Sequence, residues 1–465
     1  MLRPLLAAAS ALTLAACAVG PDYARPQTPA TAAGAFVSAN PAVSTAAADD
    51  HWWRLYDDAT LDALIADALA ANTDVRVAVA RLARARASLR EAGGDRQPQA
   101  TLGASATYGR LSAIQRPPGL ARENWTIDTG LDVAYEVDLF SRVSRNVEAA
   151  RGDVGAAAAD ADAVRVAVVA DTVRAYADAA AAAERLAVAE RIVALLDRSL
   201  KVTANRAEVG LTTGLDTARI TALRDQRRAD VPALAAERQA ALFRLATLTG
   251  HAPADLPPVA AQRTATLRLS RAIPVGDGAA LLARRPDVRA AERRLAAATA
   301  RIGVATADLY PRISLGGSVG STGTGLGNVF GAGPLNWLIG PLLNWAVNPT
   351  KARARVAGAE ADSQAALATF DGTVLVALEE TETALSNYQR AVERRAALQA
   401  ARDQAAAAAR ITRAQQREGA VDSLVALDAE RTFADAEAAL ALADAQIARS
   451  QIDLFRALGG GWSAT

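Results

Sequence analysis

The chain has 465 residues, with 51 basic and 50 acidic side chains, two histidines and one cysteine. The charges nearly cancel, so there is no footprint for nucleic acid and no strongly acidic partner is implied. A site built from several His and Cys ligands is nearly excluded, and an intrachain disulfide is impossible. The chain is 51% hydrophobic, but alanine dominates that count and only 4% is aromatic, a mix that favours helix over sheet.

At the start, Arg3 precedes an apolar run from Leu5 to Ala16 and then Cys17, the pattern of a short secretory signal. An ordinary signal cut after an Ala-x-Ala site, or a buried N-terminal helix, would share much of this pattern. Leu14-Ala15-Ala16-Cys17 also resembles the bacterial lipobox, in which the cysteine becomes the lipidated first residue of the mature chain. Residues 1–16 are then the signal peptide and Cys17 the lipidation site. Ala18 follows where the inner-membrane retention signal is aspartate, so this resemblance points to the outer membrane. Residues 17–50, rich in Pro, Ala, Ser and Thr, read as an extended tether.

Beyond the tether the chain repeats itself. "NTDVRVAVARLARARASLREAGGDRQPQATLGAS" from Asn72 aligns without gaps to "RPDVRAAERRLAAATARIGVATADLYPRISLGGS" from Arg285. Asp74 then matches Asp287, Pro98 matches Pro311, and Leu102-Gly103 matches Leu315-Gly316. Further on, "EVGLTTGLD" around Gly210 matches "EGAVDSLVALD" around Gly419, and Leu242-Phe243-Arg244 matches Leu454-Phe455-Arg456. One unit of roughly 210 residues is used twice. The first repeat spans 51–250, a linker 251–276, the second repeat 277–460, and a tail 461–465.

Each repeat opens with a helix, Thr73 to about Arg96 and Pro286 to about Leu309, that ends before Pro98 or Pro311. The period then changes from helical to alternating, predicting β-hairpins at 99–138 and 311–347. In the first, Ile127, Thr129, Leu131, Val133, Tyr135 and Val137 face one side, and Asp128, Asp132 and Glu136 face the other. Ile313, Leu315 and Val319, then Leu335, Trp337, Ile339, Leu343 and Trp345, repeat the alternation. Runs of about ten residues with aromatics near their ends suit transmembrane β-strands. Four strands of a soluble sandwich are the alternative, although isolated hairpins inside a helical chain fit that poorly. Four strands cannot close a barrel, so strands that cross a membrane here require several copies of the chain.

Proline-free, alanine-rich stretches follow, from about Ser141 to Arg206 and from about Thr350 to Arg417. Each predicts a helix roughly 100 Å long. Leu186, Val193 and Leu200, and likewise Leu378, Leu385 and Val392, recur at coiled-coil spacing. Val188, Ile192, Leu195 and Val202 form a second stripe, so each helix expects neighbours on two sides. Turns near 209–216 and 418–424 close the helical hairpins. Gly210 suits a left-handed helix end, with Thr212 or Thr213 as the next cap; Gly419 has Asp422 or Ser423. A phosphate-binding loop is excluded, because Gly210 and Gly214 have the wrong spacing and no lysine follows.

These features together resemble the outer membrane factors of tripartite efflux and secretion systems, the TolC-like family, in its lipoprotein branch. The resemblance rests on "CAVGPDYARP", "WWRLYDDATLDALIADALAAN", "RPDVRAAERRLAAATARIGVATADLYPRISL" and "LVALDAERTFADAE", and covers nearly the whole chain. It implies a mixed, mostly α fold: a homotrimeric duct sharing a 12-stranded transmembrane β-barrel, four strands per chain, continued by a long α-helical coiled-coil barrel. The implied partners are outer membrane lipids, a periplasmic adaptor and an RND-type inner-membrane transporter. The implied function is export of small molecules with no catalytic step, so no catalytic residue, cofactor or metal is expected.

By the same resemblance Val209, Gly210 and Leu211, with Gly419 and Ala420, are the adaptor-contact tips. Leu424 and Asp428 are the periplasmic constriction, and Asp128, Asp132 and Glu136 face the lumen. A solvated helix position, or an ion pair between Asp428 and Arg431, is the competing reading for that aspartate. Gln415-Gln416 depart from the Arg-Tyr common at these positions, so the latch closing the tip is either weaker or built from Arg206 and Arg417. A type I protein secretion duct would share this architecture, and a periplasmic coiled-coil scaffold without a pore would share the heptads.

Overall fold

The computed structural model describes residues 18–27, 30–38, 41–114, 118–119, 121–269, 271–325, 327 and 335–460. Its principal elements, in chain order, are β1 (Val43–Ser44), α1 (Ala59–Ala71), α2 (Thr73–Gly94), β2 (Gln99–Arg110), β3 (Glu123–Val137), α3 (Arg142–Glu208), α4 (Gly214–Leu248), β4 (Ile273–Pro274), α5 (Gly278–Arg284), α6 (Pro286–Ala307), β5 (Arg312–Gly323), β6 (Leu335–Asn344), α7 (Pro349–Arg417) and α8 (Ser423–Ala457). The order helix, helix, hairpin, long helix, shorter helix occurs twice. The copies agree in length: α2 and α6 have 22 residues each, α4 and α8 have 35, and α3 and α7 have 67 and 69. Cys17 lies outside the described residues.

Two compact units make up the chain. The first comprises Met1–Pro26, Arg81–Ala158 and Ala290–Asp371. It holds one antiparallel sheet in the order β2-β3-β5-β6. Register gathers the apolar residues: Leu102, Leu131 and Val319 are successive partners, and Val319 is opposite Trp337. The other face carries Thr101, Asp132 and Ser318 in one row and Ser105, Asp128 and Thr322 in another. At the end of the sheet, Asp138 accepts bonds from the amides of Val143 and Ser144 and so caps α3. Helices α3 and α6 pack backbone to backbone where Gly152 meets Ala297, a position with no room for a side chain.

The second unit comprises Gln27–Ala80, Ala159–Arg289 and Gly372–Thr465. Its main core joins Trp52, Tyr56, Leu61 and Ile65 to Leu245, Leu385, Ile452 and Phe455, with the Trp52 ring stacked on Phe455 at 4.5 Å. A separate core along the helices unites Val188, Ile192 and Leu196 of α3 with Leu223 of α4 and Ala434 and Ala441 of α8. Thus Val188 and Ile192 of the second stripe are buried within the chain, whereas Leu195 is half-buried and Val202 is exposed. Leu186, Val193 and Leu200 stay half-buried, leaving a face for a further neighbour. Arg285 ties three elements together: it binds Asp287, Glu380 of α7 and the Ala457 carbonyl of α8.

The expected tether between residues 17 and 50 is corrected. Phe36 is buried, and the amides of Val37 and Ser38 donate to Glu382. Val43 and Ser44 pair in parallel with Ile273 and Pro274, and the carbonyls of Gly34, Ala42 and Ala46 accept from Gly278, Ile273 and Gly276. Ahead of it, in the first unit, Gly20 is pressed against Gly303, Asp22 binds Arg145 at 2.6 Å, and the Tyr23 hydroxyl donates to Glu292 at 2.6 Å. The segment is held by backbone pairing, hydrogen bonds to Glu292 and Glu382 and the Asp22–Arg145 ion pair, so it has a fixed course where described.

Candidate functional site

The two helical hairpins turn by the same device. At the first, Gly210 has φ +77°, its amide donates to Ala207, and the Leu211 amide reaches back to the Arg206 carbonyl at 2.8 Å. At the second, Gly419 has φ +75°, its amide donates to Gln416, and the Ala420 amide reaches the Gln415 carbonyl at 2.8 Å. Both are glycine-terminated ends in which the left-handed residue satisfies orphan carbonyls.

Beyond the turns the tips diverge. In the first, Thr213 and Asp216 form a reciprocal capping box at the start of α4. The Asp216 carboxylate also accepts from the Thr212 hydroxyl at 2.7 Å, and these hydroxyl and amide donors hold its pKa below the usual aspartate value. Val209 and Leu211 are 69% and 75% exposed. In the second, Asp422 caps α8 through the Val425 amide. Gly419 and Ala420 are exposed but offer little apolar surface.

Leu424 and Asp428 lie one turn apart on α8 and are both exposed. Asp428 makes no ion pair among the described residues; Arg431 pairs instead with Asp435. The Gln415-Gln416 departure leaves a bond in place: Arg206 of α3 donates to the Gln416 carbonyl at 2.8 Å, whereas Arg417 forms no ion pair among the described residues.

One residue escaped the sequence reading. Glu430 is buried between Ala426 and Ala434 on α8, where it accepts from the Ser199 hydroxyl of α3. Its signal was visible: a carboxylate at the i+4 and i−4 positions of two core alanines.

In the sheet, Asp128, Asp132 and Glu136 of β3 share a face by strand alternation, but they are not equivalent. Asp128 accepts from the Thr322 hydroxyl at 2.8 Å, and Asp132 faces Thr101 and Ser318 across its two neighbours. Glu136 is neutralised by Arg142, bonded through both carboxylate oxygens at 2.8 and 2.7 Å. Of the three expected lumen-facing carboxylates, Glu136 is thus the one that carries a cationic partner. Among the described residues neither the outer edge of β2 nor that of β6 has a partner strand. No described helix is long and apolar enough to cross a membrane.

Known proteins match this arrangement along almost its whole length. Residues 64–251 and 279–460 match the outer membrane efflux protein family. The chain belongs to that family. Outer membrane protein OprJ of Pseudomonas aeruginosa is 32% identical over 97% of this chain and 94% of its own length. The toluene efflux pump outer membrane protein TtgC of Pseudomonas putida is 29% identical over 99% and 96%. The solved outer-membrane channel OprN superposes with a TM-score of 0.89 at 39% identity, covering 96% of this chain and all of OprN. As an outer membrane efflux protein, the chain places its sheet in the outer membrane and its long helices on the periplasmic side.

Proposed function

We propose that this outer membrane efflux protein is the exit duct of a tripartite pump, assembled as a homotrimer that passes small molecules to the outside. The observation that carries the reading is a four-stranded sheet with one apolar face and, among the described residues, two unpaired edges. In lipid each unpaired N–H or C=O costs several kcal/mol, so only closure with further copies removes the edges. Four strands are too few for a barrel, and three copies supply twelve. The dimensions agree. Trp125 and Tyr135 are ten residues apart on β3, about 33 Å along the strand and about 25 Å along the membrane normal at a tilt near 40°.

The remaining roles build on this frame. Cys17 carries the lipid that adds a second anchor. Val209, Gly210 and Leu211, with Gly419 and Ala420, dock a periplasmic adaptor, and the exposure of Val209 and Leu211 supports that assignment, since apolar tips left in water mark interaction surfaces. Leu424 and Asp428 form the constriction, where three Asp428 carboxylates would favour cations. An RND-type inner-membrane transporter supplies the energy, so the duct needs no catalytic residue. Extraction from outer membranes followed by native mass measurement tests the assembly. A mass of three chains is expected, and a single-chain mass would overturn the duct.

A further inference from the structure

Two carboxylates lie on the buried stripe of α8, and their surroundings differ. Asp444 accepts from Arg395 at 2.6 Å and from Arg268 at 3.0 Å. Glu430, only 3% exposed, has no such pair. The Ser199 hydroxyl lies 2.8 and 2.9 Å from its two oxygens but has a single proton to share between them. The Arg413 guanidinium of α7 stops at 3.6 Å, its Nε donating to the Ala409 carbonyl at 3.0 Å.

A cavity of about 300 Å³ adjoins Glu430. The charged groups around it are Arg198 of α3, Asp216 of α4, and Arg410, Arg413 and Arg417 of α7. Arg198, Arg410 and Arg417 make no ion pair with Glu430, so a buried carboxylate here has one neutral donor and one distant cation. Burial outweighs both, and the Glu430 carboxyl titrates above the usual glutamate range; the Ser199 bond and the Arg413 charge oppose the shift without cancelling it.

We propose that Glu430 is a positioning residue of the constriction: protonated, it lets α8 seat against α3 and α7, and ionised, it loosens that seat. The proposal rests on the reading of Leu424 and Asp428, on the same helix, as the constriction. Its sign is set by linkage. Dilation of the tip that carries α8 away from α3 hydrates Glu430 and returns it to the ordinary range, so the seated arrangement binds the proton more tightly. Seating is favoured below the ordinary glutamate pKa and is lost as pH rises through the raised value.

The test is conductance of the purified full chain in planar bilayers, from about pH 4.5 to about pH 8.5. Asp428→Asn is the starting background, which removes the other carboxylate of this turn. With Glu430 present, conductance should step upward within that range. Glu430→Gln, which keeps a partner for Ser199, should abolish the step and hold conductance at its acidic level. Arg413→Gln should move the step to higher pH, because it removes a group that favours the ionised form. A step that is absent with Glu430 present, or unaltered in Glu430→Gln, would overturn the proposal. A Glu430→Gln protein that no longer migrates as the unheated oligomer would also overturn it, because Glu430 would then be needed for assembly. Failure of every variant and the natural sequence to conduct would instead remove the duct reading on which the proposal stands.

Discussion

The two hairpin tips share one turn and differ in the residues on its far side. At the first, Thr212, Thr213 and Asp216 bond one another, and the apolar Val209 and Leu211 are left in water. At the second, the position of Leu211 is taken by Ala420, while Leu424 and Asp428 stand exposed on α8 and Glu430 is buried with one neutral donor. Duplication supplied the same backbone twice, and side chains specialised it: a sealed, sticky tip beside a tip whose carboxylates lack strong partners. Their acid responses are opposite in sign. Asp216 has a lowered pKa, so its stabilisation is complete above the ordinary aspartate value and is lost only as pH falls through the lowered one. Glu430 acts at the other side of its ordinary range.

Breaking the first tip should have the largest effect on assembly. Leu211→Asp places a charge where an adaptor would bury a leucine worth roughly 2 kcal/mol, so affinity should fall about thirtyfold. Pull-down of the periplasmic adaptor with purified chain measures it, and the equivalent Ala420→Asp change should cost less. Thr213→Ala should cost about 1 kcal/mol of local stability by removing the capping box. Hydrogen exchange should then accelerate at the first turn of α4 and stay unchanged at the first turn of α8, where Asp422 is the cap. Equal acceleration at both tips would erase the distinction between them.

Much of the sheet was legible in the sequence because a half-buried strand must alternate. Leu131 and Val133 against Asp128 and Asp132 reveal both the strand and its two faces. The ion pair of Glu136 was not legible there, because its partner, Arg142, comes from the first turn of α3, beyond the end of the strand pattern. The course of residues 30–50 was invisible for a different reason. Their contacts are made largely by backbone carbonyls of Gly34, Ala42 and Ala46, and any residue has those. The heptad spacing of α3 revealed two stripes but not which of their residues the chain buries itself; Val188 and Ile192 were decided by Leu223 and Ala434, which are remote in sequence.

Single-channel recording of the natural sequence beside Asp428→Ala tests the exit duct most directly. Discrete conductance steps are expected from the natural protein, with a larger closed-state conductance in Asp428→Ala, because three carboxylates leave the constriction. A protein that inserts as an oligomer and conducts nothing in either form would contradict the duct, and equal conductance in both would remove Asp428 from its gate.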